Sequence, residues 1–370
     1  MTAGTLPLKG LTVLALEQAV AAPFCTSRLA DAGARVIKIE RPEGDFARGY
    51  DDVAKGQSSY FVWLNRGKES VVLNLAADDG KEAFRELVAE ADVLVQNLKP
   101  GALARLGFPV EELRRTYPKL ITLSISGYGD EGPLAARKAY DLLIQAESGL
   151  CSVTGGPEEP ARVGVSIVDI ATGQTAHAAI LEALIARSIS GEGADIRISM
   201  FDVMADWMTV PLLNHEGGKS PKRLGLRHPS IAPYGVFPTA DGPSVLISIQ
   251  SEREWAVLCR KVLEDEGAIT DPRFSTNVAR VQNRAETDAL VGGVFGKLPV
   301  EALEAKLDAA DIAFARVNDT GALSSHPHLR RITVDTPNGP VAYPAPAAIF
   351  VGAERAYGPV PAVGDAPGLS

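Results

Sequence analysis

The first forty residues predict a strand, a helix and a second strand joined by short connections. Apolar runs at 11–16 and 35–39 indicate buried strands, and residues 21–32 between them indicate a helix. Pro23 lies in the first turn of that helix, where a missing N–H is harmless, and Gly33 ends it. A strand–helix–strand unit of this length joins parallel neighbours through a right-handed crossover. The chain is therefore constrained to an α/β fold with a parallel sheet.

The same alternation continues through the first 210 residues. Further strands are predicted at 70–75, 92–96, 120–125 and 194–198, with helices at 80–90, 139–149, 174–189 and 199–210. Most of these strands end in a polar or glycine-rich loop, and such loops build a ligand crevice at the carboxyl edge of a parallel sheet. The turn at 17–22 lacks the G-x-G-x-x-G pattern, so nothing here indicates NAD or FAD.

The chain of 370 residues is long enough for two domains with separate cores. Composition changes at 215–221, and amphipathic helices and short strands follow. We predict a large α/β domain at 1–210 and a small α+β domain at 211–328. A C-terminal segment at 329–370 is expected to return to the large domain.

Composition excludes several classes of protein. A net charge of −9 without a cluster of basic residues argues against nucleic-acid binding. The apolar runs are too short for a membrane span, and no signal peptide is recognisable at the start. Three scattered cysteines indicate neither a disulfide framework nor a zinc site, so we expect a cytoplasmic protein without a metal.

Asp169 is the most informative single residue. It ends an apolar run and is followed by Ala171, Thr172 and Gly173, small residues that would let a bulky ligand approach. One interpretation is that Asp169 caps the following helix, since Asp is a favoured N-cap. The other is that it is a nucleophile or general base in a cleft, ionised at neutral pH.

Cationic residues recur where the predicted strands end. Each one alone is compatible with an ordinary surface position, but their shared placement favours a ligand that carries phosphates. They are Arg41, Arg66, Lys68, Lys99, Arg105 and Lys138.

Four stretches of the chain together resemble the class III coenzyme A transferases, the family of formyl-CoA transferase and carnitine CoA-transferase. They are residues 8–14 with 22–23 and 33–42, residues 65–70, residues 95–101 with 106–107, and residues 124–129 with Tyr140, Asp141 and the Asp169 stretch. The segment 227–234 is also similar to the mesaconyl-CoA transferase-like branch, which handles small branched dicarboxylyl-CoA esters.

The resemblance implies a Rossmann-like large domain and a small domain in a homodimer whose two chains interlink like rings. It makes Asp169 the catalytic nucleophile, which attacks an acyl-CoA and then carries CoA as an aspartyl thioester. Coenzyme A is thus a substrate, and no permanently bound cofactor is implied. Residues at the family's CoA- and substrate-contacting positions are Gln18, Arg41, Lys68, Asn97, Leu98, Arg105 and Tyr140.

Some positions depart from the family pattern. Gln18 stands where formyl-CoA transferase has a histidine, and the glycine-rich loop that covers the site of that enzyme is not evident. Arg48, His228 and Tyr234 are expected at the acyl pocket instead. A dicarboxylate would need a cation near that pocket, and Arg48, Arg162 and Arg227 are the candidates.

Two other functions stay open at this point. The same fold includes α-methylacyl-CoA racemase, but that branch has a histidine at the position of Tyr140, and a phenol is a poor base at neutral pH. The other alternative is a non-catalytic CoA-binding protein, against which the small residues around Asp169 argue. Within the transferase hypothesis, CoA transfer between two carboxyls of one molecule is an alternative to transfer between two acids.

Overall fold

The computed structural model describes residues 6–352 and 355–366, and these residues form two compact units. Unit 1 comprises 1–150, 162–210 and 330–370, and unit 2 comprises 151–161 and 211–329. Of the segment expected to return to the large domain, residues 353–354 and 367–370 lie outside the described residues.

Unit 1 is built on a six-stranded parallel sheet, which confirms the expected α/β class. The strand order β3-β2-β1-β4-β5-β6 is that of a doubly wound nucleotide-binding sheet. The central strands are buried on both faces, as their continuous apolar runs require. The strands are β1 (Thr12–Leu16), β2 (Arg35–Glu40), β3 (Lys68–Val72), β4 (Val93–Gln96), β5 (Ile121–Ser126) and β6 (Asp195–Ser199).

Helices flank this sheet. α1 is packed closely along α8, because Gly173 of α8 leaves room for the backbone of α1: a Cβ there would lie 2.5 Å from the carbonyl oxygen of Ala21. The helices up to residue 216 are α1 (Ala21–Asp31), α2 (Ser59–Leu64), α3 (Asp78–Ala89), α4 (Ala102–Arg105), α5 (Val110–Thr116), α6 (Asp141–Glu147), α7 (Leu150–Val153), α8 (Ile167–Ser190), α9 (Met200–Trp207) and α10 (Thr209–Glu216).

Unit 2 has its own core around Trp255, Phe237 and Phe295. Its sheet is antiparallel and consists of β7 (Tyr234–Pro238), β8 (Ser244–Ser248) and β9 (Phe314–Arg316). Its helices are α11 (Glu252–Leu258), which continues as a π-helical turn (Cys259–Leu263), then α12 (Gly267–Thr270), α13 (Asn277–Gln282), α14 (Arg284–Phe295), α15 (Val300–Ala309) and α16 (Thr320–Ser324).

After residue 329 the chain belongs to unit 1. There it forms a hairpin of β10 (Arg331–Val334) and β11 (Val341–Pro344). Val334 and Val360 pack against Phe61 and Val62 of α2.

Residues 151–161, which we expected in the large domain, group with unit 2 instead. The backbone explains this difference. Gly225 N donates to the carbonyl oxygen of Gly155 at 2.9 Å, and Arg223 Nε donates to that of Gly156 at 3.0 Å. Within the described residues, no helix is both long enough and apolar enough to cross a bilayer.

Candidate active site

The crevice of unit 1 lies where β1 and β4 end side by side, because the strand order reverses between them. Gln18 and Asn97 follow these two strands and join them. Gln18 N donates to Asn97 Oδ1 at 3.0 Å, and Asn97 Nδ2 donates to the carbonyl oxygen of Gln18 at 2.8 Å. Ala19 then adopts a positive φ of 63°, which is uncommon for a residue with a side chain. Its N–H donates to Asp45 Oδ1 at 3.2 Å.

Asp169 lies in the first turn of α8, which begins at Ile167 and not near residue 174 as predicted. Its side chain does not cap the helix. The cap comes from Asp141 of α6, whose Oδ1 accepts from the N–H groups of Val168 at 2.7 Å and Asp169 at 3.2 Å. The capping interpretation of Asp169 is therefore wrong, and its carboxylate is left for another role.

The charged form of Asp169 is disfavoured in its surroundings. Burial and the negative charge of Asp141 together raise the pKa of this carboxyl from its ordinary value to about 7. Our expectation of an aspartate that is ionised like an ordinary one at neutral pH is corrected by this finding.

Asp169 faces a cavity of about 620 Å³ with an aromatic wall. Tyr50 and Tyr60 pack edge to face with their ring centroids 5.6 Å apart, and Tyr60 Oη lies 3.3 Å from Ser166 Oγ. Burial, Asp45 and Asp169 raise the pKa of Tyr50 to about 12, so its hydroxyl stays a hydrogen-bond donor at physiological pH. Tyr140, one of the predicted substrate contacts, also lines this cavity.

Four cations line the same cavity: Lys99, Arg137, Lys138 and Arg162. Arg137 is engaged, since its Nη1 lies 2.8 Å from Glu147 Oε1. Arg162 has only a 3.5 Å contact from its Nη2 to the carbonyl oxygen of Gly164, and no ion pair with a described carboxylate is present. Its guanidinium is therefore available to an anionic ligand.

A second cavity of about 430 Å³ lies on the other side of the β1 exit. It shares Gln18 and Leu98 with the first cavity. Its lining combines an apolar set, Ile39, Leu73, Leu75, Leu98 and Leu106, with the polar groups of Asn74 and the exposed Arg41. Flat apolar walls beside a few polar groups are typical of pockets that hold aromatic ring systems.

Lys68 lies in the interior and not at the surface, where a phosphate would contact it. Its Nζ is 2.6 Å from Glu17 Oε1, and neither side chain is exposed. Lys38 Nζ lies 3.4 Å from the same oxygen and 2.9 Å from Asp45 Oδ2. Burial lowers the pKa of Lys68 to about 8 against the opposing attraction of Glu17. Lys68 thus belongs to a buried charge network beneath the β1 exit.

The other predicted site residues are dispersed. Arg48 is committed to Glu40, with its Nη2 2.7 Å from Oε2, and it stacks 3.7 Å above the ring of Phe61. His228 and Tyr234 lie in unit 2 and stack with ring centroids 5.2 Å apart. Arg105 is exposed at the end of α4.

Sequence reasoning missed the groups that surround Asp169. Asp141 was noted only as part of a Tyr-Asp pair, and Tyr50 and Tyr60 had no polar pattern to mark them. Their contacts to the Asp169 turn join residues far apart in the chain, such as Tyr60 and Ser166. Within 6–352 and 355–366, no group of three or more His, Cys, Asp or Glu side chains is arranged to hold a metal ion.

Comparison with known proteins identifies the family. The sequence profile of CoA-transferase family III matches residues 8–365. The acetyl-CoA:oxalate CoA-transferase of Acetobacter aceti is 42% identical over 297 residues, which are 79% of this chain and 76% of that protein. The succinyl-CoA:mesaconate CoA-transferase of Haloarcula marismortui is 34% identical over 336 residues, 87% of this chain and 83% of that protein.

A solved structure shows the same fold. The crystal structure of a CaiB/BaiF family protein from Brucella suis superposes with a TM-score of 0.84 at 35% identity, covering 98% of this chain and 97% of that one. These matches confirm the resemblance that the sequence motifs indicated. The chain belongs to CoA-transferase family III.

Proposed function

We propose that this protein moves coenzyme A from an acyl-CoA to a small dicarboxylic acid through an aspartyl-CoA thioester on Asp169. One observation carries the proposal. The carboxylate of Asp169 lies in the first turn of α8, is not used as a cap, and faces a cavity of about 620 Å³ at the carboxyl edge of the sheet. A carboxylate in such a place is suited to attack an electrophile.

The reaction consists of four balanced acyl transfers. Asp169 attacks the thioester carbon, the C–S bond breaks, and a mixed anhydride and CoA thiolate form. The thiolate attacks the Asp169 carbonyl of the anhydride, releases the donor acid and leaves aspartyl-CoA thioester. The acceptor carboxylate attacks this thioester, and the freed thiolate then attacks the acceptor's acyl carbon and regenerates Asp169. Each intermediate keeps the activated bond, so water must be kept out.

The cavities suit the two ends of an acyl-CoA. The apolar cavity with Leu73, Leu75 and Arg41 is proposed to hold the adenosine end, and the Asp169 cavity the thioester and acyl group. Gln18 and Leu98 line both cavities and would contact the connecting pantetheine arm. Lys68 contributes indirectly, because it stabilises Glu17 next to Gln18.

The acid is proposed to be a small dicarboxylate. Relatives of this chain are named for oxalate, glutarate and mesaconate. Their names describe transfer between two acids, which supports intermolecular transfer here. Arg162 is proposed to hold the second carboxylate, since it lines the Asp169 cavity, no described carboxylate pairs with it, and a guanidinium can bind a carboxylate with two parallel hydrogen bonds.

We also propose the interlinked homodimer that the resemblance implies. Apolar side chains on α8 and after α9 are exposed in the single chain, among them Ile189 at 84% and Val210 at 67%. Contiguous exposed apolar surface is typical of subunit interfaces. A monomer in sedimentation equilibrium at micromolar concentration would contradict this part of the proposal.

The test is direct detection of the covalent intermediate. Incubation with succinyl-CoA and no acceptor should add the mass of CoA less one water to the intact protein, and peptide mapping should locate the adduct on Asp169. Hydroxylamine should convert the adduct to an aspartyl hydroxamate. Asp169→Ala should give no adduct, whereas Asp202→Ala, which removes an aspartate from the first turn of α9, should still give one.

A panel of acceptors then identifies the substrate class. Labelled succinyl-CoA offered with oxalate, glutarate, mesaconate and matching monocarboxylates should yield new acyl-CoA esters of the dicarboxylates. Turnover without any adduct on Asp169, or adduct formation that persists in Asp169→Ala, would overturn the mechanism.

A further inference from the structure

Asp141 uses both carboxylate oxygens as hydrogen-bond acceptors next to the proposed nucleophile. Its Oδ1 accepts from Val168 N at 2.7 Å and from Asp169 N at 3.2 Å. Its Oδ2 accepts from Gln145 Nε2 at 2.6 Å. The cap at the start of α8 therefore comes from a residue of α6 and not from α8 itself.

Gln145 fixes the direction of this network. Its side chain is fully buried, and its Oε1 accepts from Val163 N at 2.9 Å. Because the oxygen of the amide faces Val163, the NH₂ group must face Asp141. Asp141 thus receives N–H donors on both oxygens and has no acceptor opposite it to which a proton could be donated.

We propose that Asp141 is a positioning residue of the transfer reaction. Its hydrogen bonds hold the first turn of α8 in place, and its negative charge opposes ionisation of Asp169. Through Gln145 it also ties the 162–166 loop, which carries Arg162, to the first turn of α8. This inference rests on the proposed function, since it concerns the nucleophile of that reaction.

Other charged and titratable groups also face Asp169. They line its cavity from every neighbouring segment: Tyr50, Tyr60, Lys99, Arg137, Lys138, Tyr140 and Arg162. The cations among them favour the charged form of Asp169, whereas burial and Asp141 oppose it. The charge of Asp141 lies close to Asp169, because Asp141 Oδ1 accepts from the backbone N–H of Asp169 at 3.2 Å.

Two variants distinguish the effect of the charge of Asp141 from the effect of its hydrogen bonds. In Asp141→Asn the amide NH₂ would face the NH₂ of Gln145, so the network breaks and the charge is lost. In the double variant Asp141→Asn with Gln145→Glu, the new carboxylate accepts from both Val163 N and Asn Nδ2. The hydrogen-bond network is then rebuilt, but the negative charge moves from residue 141, which contacts Asp169 N, to residue 145, which does not.

The first measurement needs no substrate. A carboxyl ¹³C NMR titration, with Asp169→Asn to assign the signal, should place the midpoint of Asp169 near pH 7 in the native protein. Loss of the neighbouring charge should lower that midpoint by about one pH unit in Asp141→Asn, and by less in the double variant, where Gln145→Glu keeps a negative charge farther from Asp169. An unchanged midpoint in both variants, with circular dichroism showing a native fold, would overturn the proposal.

The second measurement is the rate of aspartyl-CoA formation against pH. Asp141→Asn should lose about tenfold in the high-pH plateau because the nucleophile is misplaced, and the double variant should recover most of that loss. If the double variant recovers the high-pH rate while the titration midpoint of Asp169 stays below the native value, the rate depends on the position of Asp169 and not on the charge of Asp141. A plateau that the double variant does not restore would contradict the positioning role. If no adduct forms in the native protein, the proposed function fails. The titration still tests whether the charge of Asp141 raises the pKa of Asp169.

Discussion

At the scale of single residues, Asp169 is held in surroundings that oppose its charge. Its pKa is raised to about 7, so the native state binds this proton more tightly than the unfolded chain does. The resulting stabilisation is fully present at low pH and is lost as the pH rises through 7. The ionised carboxylate of Asp169 therefore lowers the stability of the fold at neutral and higher pH.

Asp169→Asn should consequently stabilise the protein at pH 8 and have little effect at pH 4. We expect a gain of roughly 1–3 kcal/mol at pH 8, less than a fully buried carboxyl would give, because Asp169 is partly exposed. Urea unfolding at the two pH values measures it. Asp169→Ala should show the same dependence on pH, and equal gains at both pH values would contradict the assigned pKa.

Arg162→Gln tests the second carboxylate contact. Losing a charged hydrogen bond costs about 1.5–3 kcal/mol, so the KM for a dicarboxylate acceptor should rise roughly 10- to 100-fold. Arg137→Gln is the matched control, because Arg137 lines the same cavity but pairs with Glu147. Steady-state kinetics with a dicarboxylate and a monocarboxylate distinguish the two. An equal rise in KM for both acids in Arg162→Gln would show that Arg162 does not bind the second carboxylate.

The sequence located Asp169 but not its surroundings. Small residues after an apolar run mark a place where a ligand can approach, and this pattern is local in the chain. The pKa of Asp169 depends on Asp141, which lies 28 residues earlier and contacts it only because α6 and α8 meet. For the same reason, Lys68 was predicted at a phosphate, since its burial against Glu17 depends on contacts across 51 residues.

At the scale of secondary structure, the junction of α1 and α8 positions Asp169. Gly173 lies one turn after Asp169, where a side chain would meet Ala21 O at 2.5 Å and Phe24 Cβ at 2.9 Å. The first turn of α8 contains the β-branched residues Ile167, Val168 and Ile170, which are typical of strands, so the sequence alone does not predict a helix there. Its helical state depends on the cap that Asp141 supplies.

Gly173→Ala should push α8 away from α1. We expect a loss of about 1–3 kcal/mol of stability from overpacking, with a lower rate of adduct formation because Asp169 moves with the helix. Gly293→Ala in α14 is the matched control, since nothing lies within 4 Å of its added Cβ, and alanine there should be neutral or stabilising by up to about 1 kcal/mol. Thermal unfolding and adduct kinetics measure both effects. A Gly173→Ala protein as stable and as fast as the native one would contradict this account of the junction.

At the scale of the whole molecule, the parallel sheet was predictable and the buried charges were not. Apolar runs separated by amphipathic helices predicted a parallel sheet from local patterns alone. Lys38 reads as an ordinary polar residue in a strand, yet its side chain is fully buried between Glu17 and Asp45. For unit 2 the sequence predicted short strands among helices, but not the pairing that joins β7, β8 and β9 into one antiparallel sheet.

Lys38→Met should destabilise the protein by about 3–5 kcal/mol, because Glu17 and Asp45 would be left buried near Lys68 with too little compensating charge. Arg85→Met is the control for a surface pair, where the loss of the contact with Glu82 should cost at most about 1 kcal/mol. Chemical unfolding of both variants gives the comparison. Similar small losses in the two would show that the buried network does not hold the β1 exit.

The two cavities of unit 1 meet at Gln18 and Leu98 and otherwise have separate linings. If the proposed function holds, substitutions around Asp169 can alter the acid that is bound and leave the lining of the cavity proposed for the adenosine end of CoA unchanged. A directed-evolution library restricted to the Asp169 cavity should then yield variants with new acceptor acids.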